Sequence, residues 1–123
     1  MQWLAVALGG ALGALGRFGV NALVFSVFGG RLPLGTLFVN VLGSIAMGVF
    51  YVLIVERHLL PGPWREFIMI GLLGAFTTFS TFSLDSLSLW ESGHVPLAVA
   101  YIVLSVVLCI SGLLAAITIT RLF

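Results

Sequence analysis

Residues 71–83 read Gly71-Leu72-Leu73-Gly74-Ala75-Phe76-Thr77-Thr78-Phe79-Ser80-Thr81-Phe82-Ser83. Thr77, Thr78, Ser80, Thr81 and Ser83 bring five hydroxyls into a run that carries no charge from Phe67 to Leu84. Ser and Thr are poor formers of helix interiors, and their hydroxyls substitute for lost backbone partners. At membrane depth a break is tolerated only where the backbone is buried in protein or lines a cavity. The stretch therefore reads as a transmembrane helix, the third, broken at the midplane. Carbonyls freed there can bind a cation, and the helix ends can face ions. The competing reading is an intact helix whose hydroxyls bond back to the preceding turn.

The rest of the chain places this stretch in a membrane. Of 123 residues 61% are hydrophobic and 7% charged, with a mean hydropathy of +1.27; a soluble domain carries about 25% charged residues. The charges are Arg17, Arg31, Arg57, Arg65, Arg121, Glu56, Glu66, Asp85 and Glu91, with no lysine. A soluble globule, a disordered chain and a nucleic-acid-binding module are excluded, since no basic patch is available to neutralise phosphates. Turn residues cut the chain into four apolar spans, about residues 3–28, 34–55, 64–90 and 97–120. The punctuation is Gly29-Gly30-Arg31-Leu32-Pro33, then Glu56-Arg57-His58 with Pro61-Gly62-Pro63, then Ser92-Gly93-His94-Val95-Pro96. At ~1.5 Å per residue each span crosses a ~30 Å hydrocarbon core. The fold expected is an all-α integral membrane protein, one four-helix transmembrane domain over residues 1–123, whose function sits inside the membrane. Cys109 is the only cysteine, so neither an internal disulfide nor a Cys-based metal cluster can form. Met1-Gln2-Trp3 lacks the basic start of a cleaved signal peptide.

An even helix number puts both termini and the 56–65 loop on one side, with Arg57, Arg65 and Arg121, against Arg31 on the other. That bias mildly favours cytoplasmic termini and is compatible with insertion both ways. Four helices make a thin bundle, so a dimer is expected. Gly9 and Gly13, and Ser44 and Gly48, have the four-residue spacing of close helix packing, which also fits a tight oligomer. Arg17, deep in the first span, costs about 2.5–3.5 kcal/mol at mid-bilayer. It either bonds to backbone carbonyls or snorkels, or it is a fixed charge that draws anions into a vestibule. Thr36 and Asn40 share a helix face; the Asn40 amide offers donors to a ligand or an interhelical bond. Phe79 and Phe82, three apart, stack on one face. They either pack or turn positive ring edges toward a small anion. Tyr101, Ser105 and Cys109 form a weakly polar stripe on the fourth span, either lining a water path or joining helices.

Together these stretches resemble the Fluc/CrcB family of fluoride channels over essentially the whole chain. The resemblance is carried by Gly9-Gly10-Ala11-Leu12-Gly13-Ala14 with Arg17-Phe18, by Gly35-Thr36-Leu37-Phe38-Val39-Asn40-Val41-Leu42-Gly43, and above all by Thr77-Thr78-Phe79-Ser80-Thr81-Phe82. It implies an antiparallel dual-topology homodimer with two fluoride pores, in a bacterial inner membrane. It implies Phe79, Phe82 and Asn40 as pore residues, with Thr36, Ser80, Thr81, Tyr101 and Ser105 as further pore hydroxyls and Arg17 at a vestibule. It also implies a structural Na⁺ at the dimer centre, held by backbone carbonyls of Gly74 and Thr77 from both subunits. Ala75-Phe76 departs from the family pattern, where a second Gly and a Leu are frequent.

Fluoride is small and strongly hydrated, so a pore must replace its water with donors that still release it. It enters cells as neutral HF and dissociates inside. A passive channel then exports it, because 100 mV supplies about 2.3 kcal/mol per charge, a ~50-fold ratio. A small proton-coupled multidrug exporter shares the four-span architecture but needs an acidic residue in its first helix, and none precedes Glu56. An accessory subunit leaves the hydroxyl cluster unexplained, and an enzyme has no nucleophile motif beside the loop residues His58 and His94.

Overall fold

The computed structural model describes residues 1–123, and all its regular structure is helical. Turn chemistry sets the helix ends. Helix α1 (Gln2–Phe28) stops at Gly29, whose φ of 77° suits glycine, with its N–H bonded to Phe25 O at 2.8 Å. Helix α2 (Leu34–Glu56) widens into π winding over Tyr51–Glu56 and ends as His58 turns to φ 51°. Helix α3 (residues 63–76) opens on Pro63 and is π-wound over Glu66–Leu73. Helix α4 (Phe79–Glu91) follows, and α5 (Val95–Leu122) closes the chain. Pro96 lies in the first turn of α5, where its missing N–H costs nothing, so this helix begins before the proline rather than after it.

The segments Gln2–Phe28, Leu34–Glu56, Pro63–Glu91 and Val95–Leu122 are each long and apolar enough to cross a membrane. Helix α1 lies along α3, α2 lies along α5, and α4 rests on α5. Small residues allow these approaches. A methyl group built on Gly71 would meet Val6 O at 2.8 Å and Gly10 N at 3.0 Å, and one on Gly48 would meet Leu113 O at 2.7 Å. Backbone therefore packs on backbone at both seams. Gly9, Gly13 and Gly48 are thus used for packing inside the chain, whereas Ser44 lines an open groove.

Only 18 of 123 residues are buried, so most of the apolar side chains point outward, the reverse of a soluble protein. At the end shared by the chain termini, Arg121 forks onto Glu56, with Nε donating to Oε2 at 3.1 Å, and Arg57 Nη2 donates to Thr120 O at 2.9 Å. Arg65 sits 3.6 Å from Glu66. The Arg121–Glu56 and Arg57–Thr120 pairs tie α2 to α5 where both leave the apolar layer.

Candidate functional site

Helical geometry stops at Phe76. Thr77 (φ −81°, ψ 161°) and Thr78 (φ −151°, ψ 120°) are extended, and helix resumes at Phe79. The hydrogen bonds explain how the chain sustains this. In a continuous helix the Thr78 N–H would bond to Gly74 O; instead it donates to Asn40 Oδ1 at 2.7 Å. The Asn40 Nδ2 donates in return to Thr78 O at 2.9 Å. The Thr81 N–H, which would bond to Thr77 O, donates to Thr78 Oγ1 at 3.2 Å, making Thr78 the N-cap of α4. One carboxamide from α2 and one threonine hydroxyl thus replace two of the missing backbone bonds. The Gly74 and Thr77 carbonyls are deprived of these helical donors as a result.

Arg17 reaches this place. Its Nη1 lies 3.5 Å from Thr77 O, so the deepest charge of α1 stands against a carbonyl the interruption has freed.

Beside the interruption runs a groove of about 440 Å³, lined among others by Asn40, Thr78, Phe79, Phe82, Ser105 and Cys109. Phe79 is 77% exposed on the outer face, whereas Phe82 is 8% exposed. Their rings meet edge to face at 5.5 Å and 62°. Phe82 also sits 5.4 Å from the Tyr101 ring. Ser105 is 4% exposed, and its hydroxyl has no hydrogen-bond partner in the protein. A buried polar group is ordinarily hydrogen-bonded, so the Ser105 hydroxyl is a donor free to serve a ligand.

The remaining candidates gather elsewhere. Ser80 and Thr81 do not line the groove; their hydroxyls bond to Thr78 Oγ1 at 3.3 and 3.1 Å and complete the cap. Thr36 Oγ1 donates to Asp85 Oδ2 at 2.7 Å, and Tyr101 OH donates to the same oxygen at 3.4 Å. Asp85 is the residue sequence reasoning missed, having been counted only among the charges. Its three-residue offset from Phe82 was the available signal, since that spacing puts both on one face of α4. Asp85 also faces a polar cleft of about 260 Å³ with Arg31, Ser88 and Ser92. A chain of polar groups and rings thus leads from this cleft past Asp85, Thr36 and Tyr101 to Phe82, Ser105 and Asn40.

An all-helical chain with four spans, its polar side chains gathered at an interrupted helix, is an integral membrane protein of the small bundle class. The chain belongs to the CrcB family: the model for "CrcB-like protein, Camphor Resistance (CrcB)" matches residues 4–117. It is 58% identical over 119 residues to the fluoride-specific ion channel FluC of Saccharophagus degradans, covering 97% of this chain and 89% of the relative. It is 49% identical to the FluC of Hahella chejuensis over 117 residues, covering 95% and 92%. With FluC 2 of Nitrobacter hamburgensis identity is 44% over 121 residues, covering 98% of each.

Proposed function

We propose that this protein is a passive, fluoride-selective channel of the bacterial plasma membrane, and not an enzyme, which lowers cytoplasmic fluoride and so resists its toxicity. The observation that carries this reading is the Ser105 hydroxyl, buried without a partner in a groove it shares with the Asn40 amide and the Phe79–Phe82 pair. A dehydrated fluoride needs such surroundings: a hydroxyl donor, the amide N–H that Asn40 does not spend on Thr78, and ring edges of positive potential. The N-terminal end of α4 opens at the same point and adds its partial positive charge. None of these donors carries a full charge, so each holds the ion without trapping it. Thr36 and Tyr101 lie beyond Phe82, but both donate to the Asp85 carboxylate, whose charge keeps the anion on the Ser105–Asn40 side of them.

The working unit in this reading is an antiparallel dual-topology homodimer with two pores. The open groove, and Phe79 turned outward beside it, support a second subunit as the missing wall. The small difference in Arg number between the two sides supports insertion both ways. We further propose a structural Na⁺ at the centre, placing the interruption at the membrane midplane. The Gly74 and Thr77 carbonyls fit it, because a hard cation takes oxygen ligands and both have lost their usual N–H donors. Arg17 and the ion would meet the same Thr77 oxygen, which has two lone pairs. When bound, Na⁺ supplies positive charge that holds facing carbonyls together.

The test is reconstitution into fluoride-loaded liposomes, with efflux followed by electrode under a K⁺/valinomycin potential and a parallel chloride set. Potential-driven fluoride efflux with little chloride efflux is expected. No electrogenic flux of either ion from folded protein would overturn the channel reading.

A further inference from the structure

The groove holds two sulfur atoms that the fluoride reading does not use. Cys109 lies on α5 one turn beyond Ser105, half-buried and free. Met47, on the neighbouring helix α2, lines the same groove. The two helices that carry them are locked together just beyond this point, where Gly48 admits the Leu113 carbonyl and Gly112 admits Ile45. The sulfurs therefore sit on walls that cannot easily part. Independently, Ser105 lines the same groove, is 4% exposed and has an unpartnered hydroxyl, a polar group that can meet a ligand held there.

We propose that this groove is also a site for a soft monovalent cation, Ag⁺ or Cu⁺, bound by the Cys109 thiolate and the Met47 thioether, and that its occupancy stops anion passage. Thiolate and thioether are the ligands that select soft metals over hard ones. A d¹⁰ monovalent ion accepts two-coordinate binding, so one sulfur from each helix suffices. Binding exchanges the thiol proton for the metal: Cys109–SH and Ag⁺ give Cys109–S–Ag and H⁺, with no electron transferred. The bound ion then stands beside Ser105, in the space an anion must cross. The inhibitory part of this inference rests on the channel reading; the binding part does not.

The decisive experiment adds Ag⁺ in chloride-free medium to proteoliposomes, each variant being compared with its own uninhibited rate. Because Cys109 is the only thiol in the chain, the wild-type protein serves without background mutations. Micromolar Ag⁺ is expected to cut fluoride efflux at least tenfold, and excess dithiothreitol to restore it. Cys109→Ser should lose the inhibition, and Met47→Leu should need roughly tenfold more Ag⁺. Native mass spectrometry should find one Ag⁺ per wild-type chain and none in Cys109→Ser; Cys109→Ala replaces that variant if it does not fold. Equal inhibition without the thiol, no bound Ag⁺ in the wild type, or one bound Ag⁺ with unchanged flux would each overturn the proposal. Absent fluoride flux before metal is added counts against the channel reading instead, and the mass measurement still decides whether the site binds.

Discussion

Replacing Asn40 with Asp tests the groove and the interruption at once. In the wild type the carboxamide donates to Thr78 O at 2.9 Å and accepts from Thr78 N at 2.7 Å. Asp keeps the acceptor, loses the donor, and sets a carboxylate oxygen against the Thr78 carbonyl. Losing a hydrogen bond to a partly buried carbonyl costs about 1–3 kcal/mol. The larger effect falls on the anion. At roughly 5 Å and an effective dielectric constant of about 20, two negative charges repel by about 3 kcal/mol, on the order of 10²-fold in rate. Asn40→Ala separates the two contributions, because it removes both bonds to Thr78 and adds no charge. Expected rates of fluoride efflux, per correctly folded protein, are about tenfold below wild type for Ala and at least 10²-fold below for Asp. Liposome efflux by electrode, with thermal unfolding measured in parallel, reads both. An Asp variant as fast as the Ala variant would remove Asn40 from the path of the ion.

Phe79→Ile and Phe82→Ile remove the ring edges while keeping apolar bulk; each should slow fluoride efflux at least tenfold at unchanged yield of folded protein, and unchanged rates in both would end the ring-edge argument. Ser105→Ala deletes a hydroxyl that nothing in the protein satisfies, so stability should hold or rise by up to about 1–3 kcal/mol while efflux falls several-fold; a large loss of stability would mean the hydroxyl has a protein partner in the membrane. Asp85→Ala leaves the Thr36 and Tyr101 hydroxyls without their acceptor and should destabilise by about 1–3 kcal/mol, read as a lowered melting temperature. Gly71→Ala pushes a methyl group into the α1 backbone near Val6 and Gly10, where neither neighbour can rotate away; the cost should be at least about 1–3 kcal/mol, seen as a lower yield of folded protein in detergent.

The architecture was legible because membrane helices announce themselves by length and composition, and the four apolar runs left little room for another arrangement. Residues that do several jobs were harder to read. Asn40 was visible as an amide in an apolar span, but its hold on Thr78 joins residues 38 apart, which no local pattern reveals. Asp85 was one charge among nine, since only the packing of α4 against α2 and α5 brings the Thr36 and Tyr101 hydroxyls onto it. Ser80 and Thr81 were visible as hydroxyls, but their contacts with the Thr78 hydroxyl were not, because hydroxyl count does not tell which way a cap turns them. Arg17 was left between two roles by spacing, and the carbonyl it reaches exists as an acceptor only because the helix stops there.

The two extended residues at 77 and 78 bear on how the protein is made. The peptide groups of Thr78 are satisfied by a side chain on another helix, so before α2 and the third span meet they have no such partner. An unpaired peptide group in hydrocarbon costs several kcal/mol. While it leaves the insertion machinery the third span is therefore most stable as one continuous helix, and it opens only as Asn40 arrives to take over its bonds. Its native shape is then a product of tertiary assembly, a late event in biogenesis, and a nascent chain lacking its second span should carry the third as an unbroken rod.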